Sequence, residues 1–594
     1  MSDYTMTAET RTCQNCKGQF IIEPDDFAFY EHLKVPAPTF CAPCRSIRRM
    51  QWRNERTLYR RVCDLCKRNI VSAYSPKSPY TVYCSECFYG DGWDPLSFGV
   101  DYDFSKPFFE QYRELQYHVP RLALFVIQNV QSEYVNGAAC DKNCYLIFVS
   151  DHNEDSMYSY WIMHSKNTVD CYDVLNSELC YECISCIKCH RIAFSKDCSD
   201  CTNVFFSKNC ANCQDCVGCF NLRNKRYHIL NEPYTKETYL EKLKELRLDT
   251  REGIHHIQEA VAPLERRHIV KYIHGSHNTD VTGDYLYNSK ASRECYSSDK
   301  LEDSKNIIYG DTMKNCHDAY VLVDGSQYAY ELIGSISVND AKFGCWVWHG
   351  FNTAYADTCV NANNLFGCIS VRKKDYCILN KQYTKESFDE LKTKIIQHMN
   401  EMPFTDTNGA VYRYGEFFPY ANCPFAYNES VCQEHAPLTK ETAAAKGFAW
   451  REPEERDYKI TLAPDKVPAT IAEVEDTITQ EVVGCAHNGS CNHNCTTAFR
   501  ITPQELQFYR RMNVPLPTLC FSCRHHARLA HRNPYRLCAG TCACGGAASK
   551  NGVYRNTAPH AHGANACPAE FATTYPADYQ GIIYCEPCYQ QEVA

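Results

Sequence analysis

The sequence has no run of 18 apolar residues, so no segment could form a membrane-spanning helix. Its first residues, MSDYTMTAETRTC, lack the basic and then apolar segments of a secretory signal, and we expect none. The motifs GxxxxGK(S/T), GxSxG and HExxH are missing as well. These absences speak against P-loop nucleoside triphosphatases, the common serine hydrolases and zinc proteases, and we expect a binding protein more than an enzyme.

Positive charge is also scarce, since 62 lysines and arginines face 71 aspartates and glutamates, a net charge of −9. Any surface for nucleic acid must therefore be local. Cysteine, in contrast, is abundant, with 40 in 594 residues. A chain of this length can bury several cores and does not need disulfides to rescue a small fold. We expect a reducing, cytoplasmic location and structural Zn²⁺ instead of disulfide bonds.

Two internal repeats organise the chain. An offset of 479 residues carries residues 16–63 onto 495–542 with sixteen identities, so the same module stands at both ends. An offset of 149 residues carries residues 217–237 onto 366–386. Each copy of this second repeat runs into a predicted amphipathic helix, over 236–248 and 385–401. The predicted regions are an N-terminal double zinc module (1–95), a helical connector (96–135), a Cys-rich block A with a capping helix (136–262), a block B with a capping helix (263–432), a linker (433–483) and a C-terminal double zinc module (484–594).

Closely spaced cysteine pairs are the strongest chemical signal, because Zn²⁺ takes four ligands in a tetrahedron and a CxxC turn supplies two thiolates. A redox dithiol is the alternative, but the βαβ context that it needs is missing. All-thiolate sites leave no position for water, so we expect about four structural Zn²⁺ ions. The predicted sets are Cys13, Cys16, Cys41 and Cys44; Cys63, Cys66, Cys84 and Cys87; Cys491, Cys495, Cys520 and Cys523; and Cys542, Cys544, Cys585 and Cys588, with Cys538, His560, His562 and Cys567 as alternatives in the fourth.

The pattern of Cys13, Cys16, Phe20, Cys41 and Cys44 resembles the treble-clef zinc-ribbon domain family. In that family a knuckle supplies two ligands and the start of a helix supplies the others. This resemblance covers the two ends of the chain and implies a structural metal there.

A second resemblance rests on residues 53–63, 101–112 and 177–183, which read RNERTLYRRVC, DYDFSKPFFEQY and SELCYEC. With these segments, nearly the whole chain is similar to an uncharacterised Cys-rich zinc-ribbon family of small-genome, candidate-phyla bacteria. That resemblance implies zinc ribbons flanking a repetitive centre, and it implies no activity.

Arginines follow each finger at helical spacing, and from 45 to 68 nine basic residues face two acidic ones. Such a face could contact the phosphate backbone of RNA, since arginine forks match phosphate oxygens. The alternative is that these arginines pair with carboxylates of the same protein. The predicted nucleic-acid-binding residues are Arg45, Arg49, Arg53, Arg56 and Arg60, with Arg524, Arg528 and Arg532 in the C-terminal copy.

Twenty-one cysteines lie between residues 140 and 432, eleven of them from 171 to 219, among short β-prone pieces and polar corners. Phrases of Ser-Lys or Ser-Glu recur at multiples of six residues. The fold class that we predict is therefore mainly β, a two-block β-solenoid flanked by zinc modules, with a few amphipathic helices. Cysteines would fill the coils, and further zinc or an iron–sulfur cluster is the alternative.

We expect from these features a non-catalytic zinc protein that binds RNA or the ribosome through its arginine helices. The first alternative is a protein-interaction scaffold with purely structural zinc, which binds protein partners or self-associates through the solenoid. The second is a carbohydrate-active solenoid enzyme that uses carboxylates. We expect no membrane partner in any of these cases.

Overall fold

The computed structural model describes residues 7–323, 328, 330–336, 342–344, 347–348, 351–452 and 458–593. The chain divides into two compact units: a first unit of Met1–Leu124, Ile273–Arg451 and Tyr535–Leu537, and a second unit of Phe125–Tyr272, Glu452–Pro534 and Cys538–Ala594. Each unit combines one terminal cysteine module with a repeat block from the other half of the chain. Cys345, a predicted coil-filling cysteine, lies outside the described residues.

The helices described in the first unit come from the N-terminal module, the connector, block B and the start of the linker. Its α-helices are Pro24–His32, Ala42–Gln51, Ser85–Tyr89, Phe108–His118, Lys385–Glu401, Cys432–His435 and Lys440–Ala445. Its strands are Glu9–Thr12, Gln19–Ile22, Tyr59–Val62, Asn69–Ser72, Val82–Tyr83, Arg121–Leu122, Gly275–Ser276, Thr279–Tyr287, Lys290–Glu302, Lys305–Lys314, His317–Val323, Tyr330–Ile336, Val347–Trp348, Thr353–Ala354, Asn363–Phe366, Asp375–Ile378, Lys381–Gln382, Phe404–Thr405 and Val411–Tyr412.

The second unit has fewer helices and two long series of short strands. Its α-helices are Lys236–Glu245, Arg251–Arg267, Pro503–Met512, Phe521–Leu529 and Glu586–Val593. Its strands are Val126–Ile127, Asn136–Ala139, Phe148–Asp151, Tyr160–Met163, Lys166–Val169, Tyr172–Leu175, Glu178–Tyr181, Ile184–Ile187, His190–Ala193, Thr202–Phe205, Gln214–Val217, Arg226–Ile229, Glu232–Pro233, Ile269–Lys271, Val483–Gly484, Ala498–Phe499, Cys538–Thr541, Glu570–Thr573 and Ile582–Tyr584.

The helices that follow the two repeats begin in the same way. Thr235 caps Lys236–Glu245 by accepting the amide of Thr238, and Thr384 caps Lys385–Glu401 by accepting the amide of Ser387. The shared sequence Tyr-Thr-Lys-Glu therefore encodes a helix start in both blocks. The first of these helices ends earlier than its predicted bound of 248.

Most strands of both blocks pair in parallel with a strand about 12 residues further along the chain. In block A, Phe148 pairs with Tyr160 and Tyr160 pairs with Tyr172. In block B, Lys305 pairs with His317. Parallel pairing at so short a spacing leaves no room for a crossover helix, so the chain must return to the start of each strand within a few residues.

The backbone of block A repeats every three residues within this spacing of 12. From Gln128 to Leu230, every third residue has a positive φ, glycines at 137 and 218 included. From Val135 to Cys219, the residue after each such position is buried. A run such as Cys180, Cys183, Cys186 and Cys189 is thus one set of inward positions. The predicted period of six residues is a multiple of this three-residue step.

The buried thiols and hydroxyls at these inward positions bond to the backbone in one repeated pattern. The thiol of Cys183 lies 3.3 Å from the carbonyl of residue 181 and 3.4 Å from that of residue 192. Ser165 contacts the carbonyls of residues 163 and 174 in the same way. Burial raises the pKa of the Cys180 thiol to about 12, so it remains protonated and can donate. Cysteine and serine therefore serve the same purpose there, as small side chains with one donor.

The prediction of a mainly β chain is confirmed, and the described residues also form twelve α-helices, more than the few that were predicted. Among the described residues, no helix combines the length and the apolar character that crossing a membrane would require.

Candidate metal centres

The first two cysteine sets share one local geometry. Strand Glu9–Thr12 pairs antiparallel with Gln19–Ile22, and strand Tyr59–Val62 pairs with Asn69–Ser72. In each hairpin one cysteine follows the first strand directly and another precedes the second strand by three residues. The remaining two cysteines of each set lie just before a helix and in its first turn. The first set is Cys13, Cys16, Cys41 and Cys44, and the second is Cys63, Cys66, Cys84 and Cys87, in both of which the sulfurs lie within 4.8 Å of one another.

The spacing of the sulfurs fits a tetrahedral metal ion. Four sulfurs about 2.3 Å from an ion would lie about 3.8 Å apart at tetrahedral angles. The Sγ atoms of Cys16 and Cys41 are 3.6 Å apart, and those of Cys66 and Cys84 are 3.8 Å apart. These donor sets, with four thiol groups each, could therefore hold metal ions.

Hydrogen bonds to sulfur favour the thiolate form that a metal requires. The amide of Cys41 donates to Cys13 Sγ over 3.3 Å, and the amide of Cys84 donates to Cys63 Sγ over the same distance. A hydrogen bond from the Arg68 side chain is the main reason that the pKa of Cys66 falls to about 6.

The third set differs from the prediction, because the structure groups Cys485 with Cys495, Cys520 and Cys523. Cys485 directly follows strand Val483–Gly484, and Cys495 precedes the paired strand Ala498–Phe499 by three residues, as in the first two sets. The Sγ atom of Cys485 also accepts a hydrogen bond from the amide of Cys520 over 3.3 Å. Cys491 lies instead with His487, His493 and Cys523. The prediction chose Cys491 because it lies close to Cys495 in the sequence, whereas nine residues separate Cys485 from Cys495 in the hairpin.

In the fourth set the structure groups Cys567 with Cys542, Cys585 and Cys588, whereas the predicted set had Cys544 in this place. Cys542 follows strand Cys538–Thr541, and Cys567 precedes the paired strand Glu570–Thr573 by three residues. The amide of Cys585 donates to Cys542 Sγ over 3.3 Å. A cysteine directly after a short β-prone segment is the signal that would have found Cys485, and a cysteine three residues before such a segment is the signal that would have found Cys567.

The other residues considered for the fourth set lie nearby in different positions. Cys538 belongs to the strand itself. Cys544 Sγ is 3.7 Å from His560 Nδ1, and the other nitrogen of His560 is 2.9 Å from Glu592. His562 Nε2 is 3.3 Å from Cys588 Sγ. Cys544, His560 and His562 therefore lie next to the fourth set.

The first three arginines of the predicted face in the first module, Arg45, Arg49 and Arg53, are buried, whereas Arg60 is exposed. Arg45 is 4% exposed and Arg49 is 1% exposed, and both pair with Asp318, at 2.9 and 3.3 Å. Burial opposes ionisation of Asp318, but these two guanidinium groups outweigh it and hold the pKa of this carboxyl below its ordinary value. Arg48, between them in sequence, pairs with Glu331 at 2.7 Å.

The C-terminal module repeats this arrangement inside the second unit. Arg524 and Arg528 pair with Asp170, at 2.8 and 3.1 Å, and Arg528 also pairs with Glu182 at 2.9 Å. Asp170 is completely buried, and both arginines are less than 5% exposed. The arginines of both modules therefore contact carboxylates of the repeat block in their own unit, which was the alternative to phosphate binding.

The remaining predicted arginines do not lie on the helices. The first helix ends at Gln51, so Arg53, Arg56 and Arg60 follow it, with Arg60 in the strand Tyr59–Val62 that leads to Cys63. Residues 59–62 form the first strand of the second hairpin, so the helix does not continue through them. Arg53 lies over the ring of Tyr320, 5.5 Å from its centroid. Arg56 pairs with Glu434 at 3.0 Å, and Arg532 lies 4.6 Å from the ring centroid of Tyr172.

Comparisons with known proteins add no assignment. No family model matches the chain, and no curated protein matches it. A solved chain from Desulfovibrio desulfuricans G20, whose title gives it the provisional name of acetyltransferase, shares 9% identity over 49% of this chain and 86% of its own length. Its TM-score is 0.09, so the two folds do not superpose and the likeness carries no argument.

Proposed function

We propose that the protein is a non-catalytic, zinc-stabilised scaffold that binds protein partners or a second copy of itself. Its terminal modules are treble-clef zinc modules, and its two repeat blocks are β-solenoids. The zinc is structural, because each set offers four thiolates and leaves no position for a reacting water.

Several observations support these finer assignments. A parallel register of 12 residues, built from three-residue steps, corresponds to one coil of a solenoid with four short sides. The four cysteine sets combine a hairpin knuckle with the start of a helix, which is the arrangement that the treble-clef resemblance implies. Sulfur separations of 3.6 to 3.9 Å suit tetrahedral Zn²⁺.

The observation that carries the proposal is the buried pairing of arginine with aspartate in both units. A nucleic-acid backbone could reach Arg45 or Arg524 only by displacing Asp318 or Asp170, and both carboxylates are fully buried. Removing one partner of a buried pair costs about 3–5 kcal/mol. These helices therefore hold each zinc module against the sheets of its own unit. Partners would bind the outer surfaces of the blocks.

The test is purification of the full chain from its native host, with a ribonuclease-treated sample and an untreated one analysed in parallel. We expect bound zinc, an absorbance spectrum free of nucleic acid, and a protein partner or a self-associated species that survives ribonuclease and moderate salt. Light scattering gives the mass of the species, and metal analysis gives its zinc content.

RNA binding makes the opposite prediction, because contacts to a phosphate backbone weaken steeply between low and moderate salt. Loss of the associated species on ribonuclease treatment, or an affinity for single-stranded RNA that falls by a factor of about 1,000 over that salt range, would overturn the scaffold proposal. A zinc-free, fully folded chain would overturn the assignment of the metal.

A further inference from the structure

We propose that the third cysteine set holds two metal ions that share the sulfur of Cys523. The first ion takes Cys485, Cys495, Cys520 and Cys523, as in the other modules. The second ion takes His487, Cys491, His493 and Cys523. This inference rests on the proposed function in one respect, that the metal of these modules is zinc.

The two donor sets meet at Cys523. The ligand atoms of each set lie within 4.8 Å of one another, and Cys523 belongs to both. Its sulfur is 3.9 Å from Cys485 Sγ and 3.6 Å from Cys491 Sγ. Both separations are close to the distance of about 3.8 Å between two sulfurs bound to one tetrahedral ion. The Cys523 sulfur could therefore be a ligand of two metal ions.

The histidines of the second set have buried ring nitrogens, and neighbouring residues fix the orientation of one ring. The Nδ1 atoms of His487 and His493 are buried, and neither has a hydrogen-bond partner among the described residues. A buried polar atom without a partner is costly, and a bound metal would supply the missing partner. The ring of His493 stacks on that of His526, with centroids 4.8 Å apart and planes 9° apart, which fixes its orientation.

The sequence around the site explains where these extra donors come from. The hairpin of the first module has two residues between Cys13 and Cys16, whereas nine residues separate Cys485 and Cys495. Those nine residues include His487, Cys491 and His493. The insertion therefore brings two imidazoles and one thiol to Cys523, the counterpart of Cys44 in the first module.

The donor chemistry suits a second Zn²⁺. Two imidazole nitrogens and two sulfurs form a Cys₂His₂ set, which binds Zn²⁺ tetrahedrally. Four thiolates around one Zn²⁺ leave a net charge of −2. Two Zn²⁺ ions with the five thiolates of the joint site leave −1, so the second ion relieves the excess negative charge. Its binding releases the proton of Cys491 to solvent, and no oxidant or reductant is required.

The test counts zinc in the full-length chain and in three variants by mass spectrometry of the metal. We expect the double variant His487→Ala/His493→Ala to lose one zinc ion per chain. Cys523→Ser should lose two, because both ions use its sulfur. Cys44→Ser, the matched change in the first module, should lose one.

A second measurement uses the native sequence and does not depend on how a variant folds. The chain is loaded with ¹¹³Cd²⁺, and the cadmium resonances are recorded by NMR. Two resonances split by mutual coupling through the Cys523 sulfur would support the shared site. Unsplit cadmium resonances, or an unchanged zinc count in the double histidine variant, would overturn it. A chain without zinc in any module would instead refute the proposed function.

Discussion

The two units join a cysteine module to a repeat block through the same contacts. Arg45 and Arg49 bracket Asp318 in the first unit, and Arg524 and Arg528 bracket Asp170 in the second. Aromatic contacts also correspond: the rings of Tyr30 and Tyr330 are 5.2 Å apart, and those of Tyr509 and Tyr181 are 5.5 Å apart. The duplicated feature is therefore the interface between module and block, because both of its sides recur together.

The two units differ in residues that lie beside these shared contacts. Arg48 pairs with Glu331 and Glu416 in the first unit, but its counterpart in the second unit is Ala527. Glu182, which corresponds to Glu331, pairs with Arg528 instead. The hairpins of the C-terminal modules also carry long insertions. The contacts common to both units thus indicate what the fold requires, and the differences indicate what can vary.

The largest effect should come from the cysteines that follow the first strand of each hairpin. We expect Cys13→Ser and Cys485→Ser each to release one or more zinc ions and to unfold the surrounding module, since structural zinc contributes about 10 kcal/mol or more to folding. Hydrogen exchange measured by mass spectrometry would locate the unfolding. Cys491→Ser should leave the module folded, and unfolding by this control with a stable Cys485→Ser would contradict the equivalence of Cys13 and Cys485.

The next effect concerns the buried aspartates of the two interfaces. Asp318→Ala and Asp170→Ala should each destabilise their own unit by about 3–5 kcal/mol, because each leaves two buried arginines without this partner. Urea unfolding would measure the change. Glu154→Ala, which removes an exposed pair with Lys142, should cost less than about 1 kcal/mol. Equal losses of unfolding free energy in the buried and exposed variants would contradict this prediction.

A smaller effect should appear in the pH dependence of stability. Burial raises the pKa of Glu331 to about 6 and that of Glu182 to about 7. A carboxyl with a raised pKa favours folding below its unfolded value of about 4.5, and this contribution is lost as the pH rises through the folded pKa. For Glu331 the loss is about 2 kcal/mol.

The measurement is a series of urea melts from pH 4.5 to 8 for the native chain and for Glu331→Gln and Glu182→Gln. Each variant should lack the corresponding decline in stability, and the decline that Glu182→Gln removes should extend to higher pH. Release of zinc by acid affects all three proteins alike, so the difference between the curves isolates each carboxyl. Parallel curves for all three proteins would show that these two groups titrate alike in both states.

The smallest effect should come from the central cysteines. Cys186 and Cys359 donate to backbone carbonyls two residues before and nine residues after them. A serine can make the same bonds, so Cys186→Ser and Cys359→Ser should cost about 1 kcal/mol or less and release no metal. Metal analysis and thermal melts would check both. Loss of zinc or iron from either variant would mean that the central cysteines are ligands.

Much of the local structure follows from residue spacing. The amphipathic pattern predicted the helices at Lys236–Glu245 and Lys385–Glu401, and closely paired cysteines predicted the first two donor sets. The predicted sets differ from the observed groups at Cys485 and Cys567, which are separated from their hairpin partners by nine and 24 intervening residues. A long insertion between two ligands leaves no spacing to recognise, and only the pairing of the flanking strands brings the ligands together.

The sequence by itself determined the composition of the modules, the two repeats and the three-residue spacing of the small inward side chains. These features are local, because they depend on residues that are neighbours along the chain. Only the tertiary structure decided the surroundings of Arg45 and Arg524, since their spacing suits a phosphate backbone and a buried carboxylate equally well. Asp318 and Asp170 are hundreds of residues away in the chain, and folding brings them within 3 Å of these arginines.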